Sequence, residues 1–228
     1  MEKTTRPSFW NVTRPAVRCS FSAYEVMLVG AGVDPGWIGR RLVARTRERG
    51  GYADRALVSV EDLIPVPDGL GLREAAALLH DGPTALALFD NAEVKPQEWV
   101  LVLGAALGLL LVQLARAAGA RVIGAARGGR KLDPVREMGA EVAIDYSEPN
   151  WVEQVRKATG GAGFDVVFDG AGGTVGEAAF ALMGARRGFS AHGAPGGGFA
   201  DIDPQAARRL GVTVRGIEQA KFAPAECR

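Results

Sequence analysis

The stretch Trp99–Ala126, WVLVLGAALGLLLVQLARAAGARVIGAA, decides the fold. Trp99 to Leu103 is an unbroken β-prone apolar run, the pattern of a central parallel strand covered on both faces. Gly104 and Gly108 punctuate a turn, Leu109 to Ala118 supplies strong helix formers, and Gly119 stands where a helix C-terminus needs a left-handed residue. Arg121 to Ala126 then starts a second strand. A strand, glycine turn, helix and strand in this order form a dinucleotide-binding unit. The helix N-terminus offers unpaired N–H groups and partial positive charge to a pyrophosphate. The usual fingerprint G-x-G-x-x-G carries a middle glycine that this turn, Gly104-Ala105-Ala106-Leu107-Gly108, lacks, so a plain strand-to-helix connection reads equally well from these five residues alone.

The alternation continues on the carboxyl side. A helix is expected from Leu132 to Met138 with Asp133 as its cap, a strand over Glu141–Tyr146, a helix over Trp151–Thr159 and a strand over Phe164–Asp169. Next come a helix over Val175–Met183, a strand over Gly188–His192, a helix over Pro204–Leu210 and a strand over Val212–Gly216. This is the pattern of a Rossmann-type, doubly wound parallel α/β sheet. On the amino side, Leu72–His80 and Pro83–Asn91 read as two helices separated by Asp81-Gly82. Val26 to Pro67 has the short strands and glycine turns of an antiparallel β unit, and residues 1–25 show no period and read as irregular.

Composition narrows the function. The 228 residues are 47% hydrophobic with a net charge of +1, enough to build a buried core and no electrostatic reason to expect nucleic acid or an anionic membrane as partner. The longest apolar run is interrupted by glycines and falls short of the ~20 residues a bilayer requires. Two distant cysteines, Cys19 and Cys227, fit a reducing compartment and argue against a cysteine zinc site. No secretory pattern opens the chain, so a cytoplasmic location is expected.

Around the central unit, several motifs together are more specific than the glycine turn. They are Val29-Gly30-Ala31-Gly32-Val33, Gly39-Arg40-Arg41-Leu42-Val43, Gly51-Tyr52-Ala53-Asp54, Val66-Pro67-Asp68-Gly69-Leu70 and Asp81-Gly82-Pro83-Thr84-Ala85. In this order the chain resembles the medium-chain dehydrogenase/reductase superfamily, in its zinc-independent quinone oxidoreductase branch. The resemblance implies a partial GroES-like β-domain over residues 26–70 and a nucleotide-binding domain over 71–228, with both ends of the family pattern incomplete. Against the family's G-A-A-G-G-x-G, the turn after Leu103 is two residues short. At ~100° per residue that would swing the helix by roughly 200°, so the loop itself has to shorten.

The implied cofactor is NADPH. An NAD site places a carboxylate about 20 residues beyond the fingerprint; here Ala126-Arg127-Gly128-Gly129-Arg130-Lys131 offers three cations suited to a 2′-phosphate, although a solvated basic loop would look the same. The resemblance assigns the pyrophosphate to Gly104, Ala105, Ala106 and Gly108, and the 2′-phosphate to Arg127, Arg130 and Lys131. Tyr146 would close over the adenosine phosphate, Thr84 would seat the nicotinamide ribose or amide, and Ala171, Gly172 and Gly173 would leave room beside the cofactor. No catalytic residue stands out: His192 sits near a strand end as a candidate, and His80 reads as structural. Hydride transfer needs no nucleophile or metal from the protein, because the cofactor carries the chemistry. The expected function is hydride transfer from NADPH to a quinone, enone or other electrophilic carbonyl compound. The alternative is a catalytically silent homologue that keeps the nucleotide fold or a partner surface, with an open sheet edge on which a homodimer could form.

Overall fold

The computed structural model describes residues 21–46 and 53–220. Part of the motif at Gly51-Tyr52 and both cysteines lie outside the described residues. The chain divides into two compact units, Met1–Leu79 and His80–Arg228.

In the first unit, β1 (Phe21–Glu25), β2 (Arg41–Arg45) and β3 (Leu63–Pro65) form an antiparallel sheet in that order. Phe21–Glu25 was expected to be irregular. It is a strand because all five residues pair with β2, from Phe21 opposite Arg45 to Glu25 opposite Arg41, and long-range pairing overrides a weak local pattern. Asp34 accepts the Gly36 N–H at 2.8 Å and starts a 3-10 turn at Pro35–Trp37. The unit's small core joins Val43 and Val66 to Ala75 and Leu79, residues of α1 (Leu72–Ala92). The division between units falls inside this helix.

Helix α1 is also a correction. It was expected as two helices broken at Asp81-Gly82, yet it runs unbroken with Pro83 in its interior. Pro83 removes one N–H donor, which would have bonded Leu79, and the helix survives because its apolar residues are buried on both sides of that point. Leu79 lies in the first unit's core, while Ala85, Ala87 and Leu88 lie in the second's.

The second unit is built on a six-stranded sheet, all parallel, in the order β6-β5-β4-β7-β8-β9. The strands are β4 (Trp99–Leu103), β5 (Arg121–Ala126), β6 (Val142–Asp145), β7 (Phe164–Asp169), β8 (Met183–Ala191) and β9 (Thr213–Gly216). Between them run α2 (Leu107–Ala117), α3 (Leu132–Glu137), α4 (Trp151–Thr159), α5 (Gly173–Phe180) and α6 (Pro204–Leu210). Read from β4 outward this is a doubly wound sheet with its switch point between β4 and β7. The uninterrupted hydrophobicity of β4 follows from its position. Trp99, Leu101 and Leu103 pack with α4 and α5 on one face, and Val100 and Val102 with α1 and α2 on the other. Each such buried Leu or Val contributes about 1.5–3 kcal/mol.

Two further boundaries differ from expectation. Met183 opens β8 instead of ending α5, because the segment from Met183 aligns beside β7, starting opposite Phe164. Asp133 does not cap α3; a 3-10 turn at Gly129–Lys131 leads into that helix, and Asp133 pairs with Arg136 at 2.8 Å within its first turn. Among the described residues no helix is long and apolar enough to cross a membrane.

Candidate functional site at the sheet switch point

The connection from β4 to α2 is three residues long, Gly104–Ala106. Reversing direction in so few residues demands unusual backbone angles: Gly104 has φ +107, and Ala106, the residue capping α2, has φ +62 and ψ −109. A side chain there is strained, and a glycine would not be. The shortened turn is thus accommodated in the loop, with its cost concentrated at Ala106. Gly104 donates its N–H to Ala125 at 2.8 Å, which ties the turn to β5. Among the described residues, the N–H groups of Ala105, Ala106, Leu107 and Gly108 meet no acceptor. Four free donors at the start of an eleven-residue helix suit a pyrophosphate. Gly108 has a separate role: a Cβ there would lie 3.2 Å from Val102 Cγ1, so its absence lets the helix pack closely on the strand.

The neighbouring turn, after β7, is arranged differently. Asp169 is fully buried, and its Oδ1 accepts the N–H groups of Ala171 at 3.0 Å and Gly172 at 2.8 Å. Its Oδ2 has no hydrogen-bond partner among the described residues. Burial pushes the Asp169 carboxyl above its ordinary value, against the pull of the two N–H donors. On the side where a Cβ would stand, Gly172 and Gly173 face the protein's own backbone. A Cβ on Gly172 would stand 2.2 Å from the Gly198 carbonyl, and one on Gly173 would stand 2.6 Å from that of Gly196. Gly173 donates to Gly198 and Gly196 to Ala171, both at 2.9 Å. These glycines therefore admit the 193–198 segment.

His192 follows β8 and donates its N–H to the Asp169 carbonyl at 2.9 Å. Its imidazole lies against Gly170, where Nε2 would be 3.1 Å from an added Cβ, and Gly170 in turn lies against Gly104. Its Nδ1 is buried, with no hydrogen bond of good geometry among the described residues. Burial lowers the His192 pKa to about 4, opposed by the Ser190 backbone, so the ring is neutral near pH 7. Thr84 is buried on α1, and its hydroxyl donates to the His80 carbonyl at 2.9 Å, which leaves the oxygen only its acceptor capacity.

At the carboxyl ends of β5 and β6 the basic loop and Tyr146 meet. The Arg127 guanidinium lies 5.8 Å from the Tyr146 ring centre, and Arg127, Arg130 and Lys131 are all exposed. The structure adds Asp145, which sequence reading passed over. Its Oδ1 accepts the N–H groups of Gly128 at 3.0 Å and Ser147 at 2.9 Å and the Ser147 hydroxyl. The Ser147 hydroxyl first, then the Gly128 and Ser147 N–H groups, with a smaller pull from Arg127, hold this carboxyl below the usual carboxylate range. The signal available in the sequence was an aspartate at a strand end facing a glycine loop one strand away.

A doubly wound parallel sheet with a helix N-terminus at its switch point is the arrangement of the dinucleotide-binding α/β folds. Residues 106–223, just over half of the chain, match the zinc-binding dehydrogenase family. The chain belongs to that family, within the medium-chain dehydrogenase/reductase superfamily and its quinone oxidoreductase branch. It is 36% identical over 167 residues to a 2-haloacrylate reductase from a Burkholderia species, covering 71% of this chain and 50% of that one. It is 34% identical over 178 residues to a quinone oxidoreductase of Salmonella typhimurium, covering 77% and 54%. Among solved structures, the Escherichia coli quinone oxidoreductase complexed with NADPH superposes with a TM-score of 0.75 at 27% identity, covering 90% of this chain and 64% of the other. The chain spans about half the length of the curated relatives it matches.

Proposed function

We propose that this chain supplies the NADPH-binding part of an oxidoreductase that reduces a quinone, enone or related electrophilic carbonyl compound. The observation that carries the reading is the pairing of two anion sites along one sheet edge: free N–H groups at Ala105–Gly108, and a cationic loop at Arg127–Lys131 one strand away. The first suits a pyrophosphate and the second a 2′-phosphate. Relatives described as quinone oxidoreductase and 2-haloacrylate reductase, and a neighbour solved with NADPH, support the same reading. When bound, NADPH supplies the hydride. The protein's part is to bind and orient. Ala105, Ala106 and Gly108 hold the pyrophosphate through backbone N–H groups, Arg127, Arg130 and Lys131 hold the 2′-phosphate, and Tyr146 covers the adenosine end. Thr84 offers an acceptor toward the nicotinamide ribose or amide, and His192 contributes a neutral polar edge.

The test is a parallel titration with NADPH and NADH, followed by tryptophan fluorescence and calorimetry. Tighter binding of NADPH is expected, and replacing Arg127, Arg130 and Lys131 by alanine should weaken NADPH by about 10-fold or more while NADH changes little. Equal effects on both nucleotides would count against the assignment. The second reading is binding without turnover. Saturable NADPH binding with no reduction across a panel of quinones and enones would select it. Among the described residues β9 ends the sheet, an edge that would suit pairing with a second copy of the chain; a strict monomer in light scattering would exclude that.

A further inference from the structure

The three cations of the basic loop share one point of attachment. Arg127 precedes Gly128, and Gly128 starts the 3-10 turn that carries Arg130 and Lys131, with the Lys131 N–H returning to the Gly128 carbonyl at 3.0 Å. Gly128 has φ +84, nothing lies within 4 Å of where its side chain would be, and its N–H ends on Asp145 Oδ1. One carboxylate oxygen therefore fixes the pivot of the loop. The same oxygen takes both Ser147 donors, and the Tyr146 N–H bonds Ala126 at 3.2 Å, so the support is tied to the two strand ends.

We propose that Asp145 is the positioning residue for recognition of the cofactor's 2′-phosphate: by holding Gly128 it keeps Arg127, Arg130 and Lys131 together as one anion-binding group beside Tyr146. The inference rests on the NADPH reading above. Asp145 stands at the end of β6, whereas the end of β5, where an NAD site places its ribose-binding carboxylate, passes directly into Arg127. Its carboxylate thus orders the cations from behind. Its charge complements Arg127, and its oxygen removes the conformational freedom that a glycine loop of three long cationic side chains would otherwise lose on binding.

The experiment is calorimetric titration of the full chain and of Asp145→Ala and Asp145→Asn with 2′,5′-ADP and 5′-ADP. Hydrogen exchange of residues 128–131 is measured without ligand. Asp145→Ala should weaken 2′,5′-ADP by about 10-fold and 5′-ADP by less than about 2-fold, with faster exchange in the loop. Asp145→Asn keeps an acceptor oxygen and should stay within about 3-fold of the parent for 2′,5′-ADP, with loop exchange unchanged. Equal losses for both nucleotides, or no loss for 2′,5′-ADP in Asp145→Ala, would overturn the proposal. A parent protein that binds the two nucleotides equally would overturn the NADPH reading itself, and this inference with it.

Discussion

Two strand-to-helix turns meet at the switch point, and they use their backbone donors in opposite ways. After β4, the N–H groups of Ala105 to Gly108 have no acceptor among the described residues. After β7, the N–H groups of Ala171 and Gly172 end on Asp169 and that of Gly173 on Gly198. Glycine content alone would favour the second turn, with Gly170, Gly172 and Gly173, as the phosphate site. The hydrogen bonds favour the first. A glycine-rich turn binds an anion only where its donors have not already been taken by the protein.

The largest expected effect breaks the closed turn. Gly172→Val places a Cβ against two backbone carbonyls at a φ of +70 and should cost about 3–5 kcal/mol in denaturant unfolding. A loss below about 1 kcal/mol would mean that the 193–198 segment is not packed there. Next in size is the pH dependence of stability. His192 is neutral in the folded protein down to about pH 4, while in the unfolded chain it takes up a proton near 6.5. Its folded pKa is depressed, so the associated stability is complete above about pH 6.5 and is lost as pH falls toward 4, by about 3 kcal/mol in all. Asp169, with its raised pKa, pulls the other way over the acidic part of that range. The measurement is therefore the difference in unfolding free energy between the parent and His192→Gln from pH 7 to 4. The parent should lose stability faster, and parallel curves would contradict the burial of a neutral ring.

The smallest effects sharpen the open turn. Ala106→Gly relieves the positive φ and should stabilise the protein by about 1 kcal/mol, read as a raised Tm. Ala106→Asp sets a negative charge on the open donors, and should weaken NADPH by about 10-fold without lowering Tm. If both variants left Tm and affinity unchanged, Ala106 would be neither strained nor close to the bound phosphate.

Much of this arrangement was legible from the chain. The ranges of β4, β5, α4, β7 and α6 agree with the sequence reading, because each has an apolar run or capped periodicity that only one element satisfies. The break expected at Asp81-Gly82-Pro83 did not occur, since packing on both sides of Pro83 outweighs one lost hydrogen bond. At the site, the turn and the cationic loop were visible as composition. The closing of the β7 turn by residues 193–198, and the reach of Asp145 across to Gly128, depend on register between strands. No local pattern carries that register.

The most direct test of the account is an amide NMR titration of the chain with NADPH, which reports which turn receives the pyrophosphate. The account predicts large shifts at Ala105, Ala106, Leu107 and Gly108, with smaller ones at Gly172, Gly173 and Gly196. Large shifts at Gly172, Gly173 and Gly196 with Ala105–Gly108 unmoved would contradict it, and would place the phosphate on the turn that its own backbone closes.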